Sequence, residues 1–175
     1  MKCKTIVGIA AICVVAIGCK SKIAMDYNDM IVKEQRKLAQ SMDAEAPNLR
    51  TYFTNYQYDS IVSVSSRMES KIDAIVGEIN KTAAPSVNQG QNFKKASLQY
   101  FNYMKSIYTA YKNYGSQTSP DGREIEMQVI SKLTSSEDQV IADMQKAQQI
   151  FAKNNGFKIR PSKQNASLTA NSPRE

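Results

Sequence analysis

The sequence has no histidine and no tryptophan, and only three cysteines, five prolines and seven glycines in 175 residues. Without histidine, no Ser-His-Asp or Cys-His relay can be assembled. Histidine-ligated zinc, non-haem iron and blue-copper sites are excluded for the same reason. So little glycine and proline rules out collagen-like and Gly/Pro low-complexity chains. Leucine occurs only five times, so Tyr, Met, Ile and Val must fill any interior. Methionine suits irregular gaps, and an interior tyrosine needs a partner for its hydroxyl. Several tyrosine hydroxyls are therefore expected at a rim. Strand-like alternation of useful length is also missing. The length fits one domain.

What is present begins with an address. Lys2 and Lys4 precede an uncharged, mostly apolar run from Thr5 to Gly18. Fourteen residues fall short of the ~20 that a spanning helix needs, and they match the apolar region of an export signal. The run ends Ala16-Ile17-Gly18-Cys19. Small residues before a cysteine resemble the lipobox of bacterial lipoproteins, with Ala16 where Leu or Val is usual. That resemblance implies lipid transfer to the Cys19 thiol, cleavage before Cys19 and acylation of the new amino group. An ordinary signal peptide cut near Ala16 or Gly18, or an uncleaved anchor, would use the same run. Cys3 and Cys13 lie inside the segment to be discarded, and no cysteine follows Cys19. One leftover cysteine in an exported chain needs an explanation, and a thioether supplies it. Several acyl chains hold better than one, so the membrane attachment through Cys19 should be stable.

The formal charge is +7. Loss of residues 1–18 takes Lys2 and Lys4 and leaves +5. The segment after Lys158 carries +2, so the body is near +3. This mild excess suits a domain beside an anionic membrane surface and is too weak to argue for nucleic acid.

Four helices are expected. The first spans 23–44, with the stripe Tyr27, Met30, Ile31, Leu38 and Met42, and Pro47 closes it. The second spans 48–81. Its stripe is Ile61, Val64, Met68, Ile72, Ile75 and Ile79, extended backwards by Leu49, Phe53 and Tyr56. The third spans 92–114 with Phe93, Ser97, Tyr100, Met104, Ile107, Tyr111 and Tyr114. The fourth spans 120–155 with Ile125, Val129, Leu133, Val140, Met144, Ala147 and Phe151. Ser119-Pro120 is its start signal and Gly156 its stop. Short connections make neighbours antiparallel. The expected architecture is thus all-α: residues 1–18 a signal peptide, 19–22 a short tether, 23–158 an up-down-up-down four-helix bundle, and 159–175 a disordered tail.

Candidate sites are few. Asp26 and Asp29 lack the continuing acids and glycine of a calcium loop and read as a helix start. Glu124, Glu126, Glu137, Asp138 and Asp143 show no pairing that acid–base or di-metal chemistry requires. Neither a metal nor a cofactor is expected, and the chain reads as a non-enzyme. The third helix joins Tyr100, Phe101, Tyr103, Tyr108, Tyr111 and Tyr114 with Lys94, Lys95, Lys105 and Lys112. Most of these rings fall on core spacing, with lysines snorkelling beside them. Tyr103 is out of phase and is the ring expected to be exposed. A partner-binding surface would therefore centre on Tyr103, Lys105, Lys94, Lys95 and Lys112.

The lipobox, the segment Tyr27-Asn28-Asp29-Met30-Ile31-Val32 and the all-helical body resemble small bacterial surface lipoproteins of unassigned function, a family first described from leptospiral surface proteins. The resemblance implies a helical lipoprotein of the outer membrane or cell surface, and it brings no catalytic residues. The functional expectation is a lipid-anchored, non-enzymatic module of the cell envelope that binds a protein or an envelope polymer. The alternative is a solute- or ligand-binding bundle with an interior pocket, for which Glu34, Ser97 and Glu137 interrupt the stripes.

Overall fold

The computed structural model describes residues 15–159, with side chains from residue 18 onward. The expected signal segment before residue 15 and the tail from residue 160 lie outside the described residues. The chain is an all-α four-helix bundle built from α1 (Val15–Thr54), α2 (Tyr58–Lys81), α3 (Gly90–Ser116), α4 (Pro120–Ser135) and α5 (Glu137–Asn154). The last two form one rod interrupted at Ser136. Going round the bundle, α1 packs on α2 and α5, and α3 packs on α2, α4 and α5.

The first helix is longer than its expected span at both ends. Residues 19–22, expected as a tether, are helical, and α1 continues through Pro47 to Thr54. Its inward line is Ala24, Tyr27, Ile31, Leu38 and Leu49, all buried. Leu49 and the half-buried Phe53 thus close α1 instead of opening α2. The continued apolar line explains the overrun: its burial outweighs the ~3 kcal/mol cost of an interior proline. Pro47 is itself exposed. The true break is Asn55–Gln57, where Tyr56 has φ 55° and is 70% exposed.

The fourth rod corrects the expected stripe. Ile125 and Val129 are 61% and 42% exposed, while Ile130 is buried. The line that faces the bundle is Arg123, Glu126, Ile130, Leu133, Glu137, Val140, Met144, Ala147 and Phe151, none of them exposed. Its steps of three and four are regular, but two charged residues open it. The interruption at Ser136 has a local cause. Thr134 Oγ1 bonds to the Ile130 carbonyl at 3.0 Å, Ser135 Oγ to Lys132 O at 2.9 Å and Ser136 Oγ to Lys132 O at 3.2 Å. Three successive hydroxyls compete with the backbone ladder. The backbone N–H of Ser136 then closes a tighter turn on Leu133 O, at 3.0 Å.

Two aromatic clusters mark the ends. At one, Phe93 stacks on Phe151 with centroids 4.7 Å apart, and Tyr27 and Phe157 meet Phe151 edge-on at 6.5 and 5.8 Å. At the other, Phe53 contacts Tyr111 and Tyr114, Tyr58 contacts Tyr114, and the Arg123 guanidinium sits 4.2 Å above the Tyr58 ring. Such pairs add ~0.5–1.5 kcal/mol each beyond the area they bury. Between the clusters run Ile61, Met68, Ile72 and Ile79 of α2 against Phe101 and Met104 of α3, all buried. The Ser119 hydroxyl caps α4 by accepting from Gly122 N at 3.1 Å, with Pro120 at the first helical position.

Candidate functional site

Cys19 is exposed on α1, and core burial begins only at Ala24. The thiol therefore stands clear of the packed interior. Around it gathers one end of the bundle. The α2–α3 connection approaches the C-terminus of α5, where Asn155 Nδ2 donates to Asn88 O at 2.8 Å. Gly156, with φ 69°, turns the chain back, so that Phe157 N reaches Ala152 O at 3.2 Å and its ring packs on Phe151. A left-handed residue there is the glycine's task. Lys94 Nζ donates to Asn80 O at 3.1 Å and Thr82 O at 2.7 Å, satisfying carbonyls left open at the end of α2. These elements enclose an open groove of about 740 Å³ between Lys20 and Ser21 of α1, the 84–88 connection and residues 153–156.

The structure distributes the five residues expected to form a partner surface among different neighbours. Tyr103 is half-buried, and its hydroxyl donates to the Leu133 carbonyl at the break of the fourth rod. Its out-of-phase position aims it at α4, not at solvent. Lys94, Lys105 and Lys112 recur at spacings of eleven and seven, which puts them on one line of α3 facing α2. Lys105 pairs with Asp73 at 2.6 Å. Lys112 pairs with Glu69, which also accepts from Thr109 Oγ1 at 2.5 Å. Burial pushes the Glu69 carboxyl up. The bonds from Lys112 and Thr109, with the Lys112 and Lys105 charges, more than reverse this and hold it below the usual range. Lys95 alone is exposed with no bonded partner among the described residues. The third helix is thus the bundle's central strut, and its lysines tie it to α2.

Neither a protein-family model, nor a curated protein, nor a solved structure matches the chain. The site must be judged on its own chemistry.

Among the described residues, no three of His, Cys, Asp and Glu gather as a metal would require. No described helix is long and apolar enough to cross a membrane. Two of the three stripe-breaking polar residues are bonded locally. Ser97 Oγ bonds to Phe93 O at 2.7 Å, and Glu34 accepts from Lys37 at 2.7 Å. Glu137 is half-buried beside the tyrosines of α3. Burial, then the neighbouring Asp138, raises its carboxyl above the usual value. Burial likewise pushes Tyr100 up to about 12, with the Glu137 charge adding to it. Sequence reasoning missed the groove and the basic end around it. The usable signal was positional, because lysines recur where helices begin and end on that side.

Proposed function

We propose that the chain is a lipid-anchored protein of the bacterial cell envelope, akin to the leptospiral-type surface lipoproteins. It acts as a non-enzymatic helical module that binds a protein or an envelope polymer. The observation that carries this reading is Cys19: the one cysteine after the apolar run, exposed, and five residues before the first buried core position. A diacylglyceryl thioether at that position would disturb no core contact. The partner surface in this reading is the end away from Cys19, where Tyr56, Ile125 and Val129 stand exposed.

Mass spectrometry of the mature protein tests the anchor. The expected product begins at Cys19 and carries the mass of two or three acyl chains. Cys19→Ser is expected to abolish that mass and to release the chain from the membrane fraction. A free Cys19 thiol, or an intact residue 1–18 segment, would overturn the reading.

A further inference from the structure

We infer that the Cys19 end of the bundle is itself a docking surface for anionic lipid headgroups, which seats the bundle end-on at the membrane. The inference rests on the anchor reading for bringing a membrane near, but its physical basis is separate.

That basis is where the charge lies. Between residues 18 and 159 there are 18 cations and 15 acids. Seven of the cations sit at the Cys19 end: Lys20 and Lys22 on α1, Lys81, Lys94 and Lys95 around the α2–α3 connection, and Lys153 and Lys158 around the end of α5. Asp26, Asp29 and Glu78 oppose them. The rest of the bundle carries 11 cations against 12 acids. All of the body's positive excess is therefore at one end, and it is the end that carries Cys19.

Helix dipoles do not account for this. They favour cations in the last turns of α2 and α5, which covers Lys81 and Lys153. They give no such preference to Lys20 and Lys22 near the start of α1, or to Lys94 and Lys95 in the opening two turns of α3. Pairing within the chain uses some of these charges. Lys22 meets Asp26 at 3.2 Å and Lys81 meets Glu78 at 3.4 Å, both largely exposed, and Lys94 caps α2. Lys20, Lys95, Lys153 and Lys158 are exposed and have no bonded partner among the described residues. Lys20 and Lys153 also line the groove. Exposed apolar side chains accompany them: Ile23, Met25 and Ile150 are 51%, 38% and 40% exposed. Free lysines interspersed with exposed apolar residues are what an anionic bilayer surface attracts and what its interface accepts.

The test uses residues 19–175 with Cys19→Ser, which keeps every described core position and carries no lipid. Vesicles of phosphatidylcholine with 30 mol% phosphatidylglycerol are compared with pure phosphatidylcholine in a co-sedimentation assay. Binding is expected only to the anionic vesicles and is expected to weaken as salt rises. Lys20→Gln, Lys95→Gln, Lys153→Gln and Lys158→Gln together should lower partitioning at least tenfold, since each lysine near such a surface contributes roughly fivefold. Lys33→Gln, Arg36→Gln, Arg50→Gln and Lys132→Gln together remove the same charge from exposed positions elsewhere and should leave binding nearly unchanged. Equal loss in the two quadruple variants, or no preference for anionic vesicles, would overturn the inference. Either result leaves the mass of the mature protein unaffected, so failure here and failure of the anchor reading are distinguishable.

Discussion

Replacing Lys112 with methionine isolates the energetics of the α2–α3 seam. The perturbation keeps most of the side chain's apolar stem and removes the charge that Glu69 faces. Glu69 is 11% exposed at its side chain and Lys112 35%. An exposed ion pair contributes ~0–1 kcal/mol, whereas stripping one partner from a buried pair costs ~3–5 kcal/mol. The carboxylate belongs near the buried limit and the ammonium near the exposed one. Thr109 remains as a donor after the change. The expected loss for Lys112→Met is about 2 kcal/mol, read from urea denaturation at pH 7. Glu69→Leu should cost less, about 1 kcal/mol, because it strands a cation that water still reaches. The double variant should lie close to the wild type, since removing both partners removes the stranded charge. The coupling in the double-mutant cycle is then about 2–3 kcal/mol. The folded-state Glu69 carboxyl lies below its unfolded value, so its stabilisation is complete above the unfolded value of ~4.3. It is lost as pH falls through the folded value. The gap between Lys112→Met and the wild type should therefore close in acid. A coupling indistinguishable from zero at pH 7 would refute the reasoning and place Glu69 effectively in water.

Four further outcomes can be measured by denaturant or thermal unfolding. Gly115→Ala should lose about 1–3 kcal/mol, because a Cβ there would stand 2.8 Å from both Tyr58 O and Val62 Cγ2 where α2 and α3 meet. Gly77→Ala should instead gain about 0.5–1 kcal/mol, since nothing lies within 4 Å and the site is helix interior. Phe151→Ala, at a fully buried ring stacked on Phe93, should cost about 3–5 kcal/mol and lower Tm by roughly 10 °C or more in a thermal melt. Glu137→Gln should raise stability at pH 7, because burial holds the wild-type carboxyl above its unfolded value and its charged form is penalised. That gain should vanish as pH falls below ~4.3, where both states of the wild type are protonated.

Periodicity carried most of the fold. The stripe Ile61–Ile79 and the cap at Ser119-Pro120 stand where spacing and capping chemistry put them. The misplacements share a cause: local punctuation was weighed above the continuing line. Pro47 reads as a stop, yet Leu49 and Phe53 prolong the apolar line of α1 past it. The real stop, Tyr56 with positive φ, carries no glycine to announce it. In the fourth rod the inward line begins with Arg123 and Glu126, so the apolar neighbours Ile125 and Val129 appeared to be the core face. Arg123 faces inward because its guanidinium covers the Tyr58 ring. The site was half legible. Cys19 and its apolar lead are a linear pattern. The lysine-rich end exists only once four helix termini are brought together, and no single stretch of sequence displays it. Tyr103 was correctly out of phase with the core, but only the packed neighbour shows that its direction leads to a carbonyl of α4.

The unbroken run of α1 from Cys19 to Thr54 has a mechanical consequence. Thirty-six helical residues rise ~54 Å at 1.5 Å each. A fatty tether at the first of them would have no slack between itself and the packed rods. The body could not swing about on a leash as a lipoprotein with a loose leader does. It would behave as a mast stepped directly into its deck, presenting Tyr56 and its neighbours at a fixed height above the lipid.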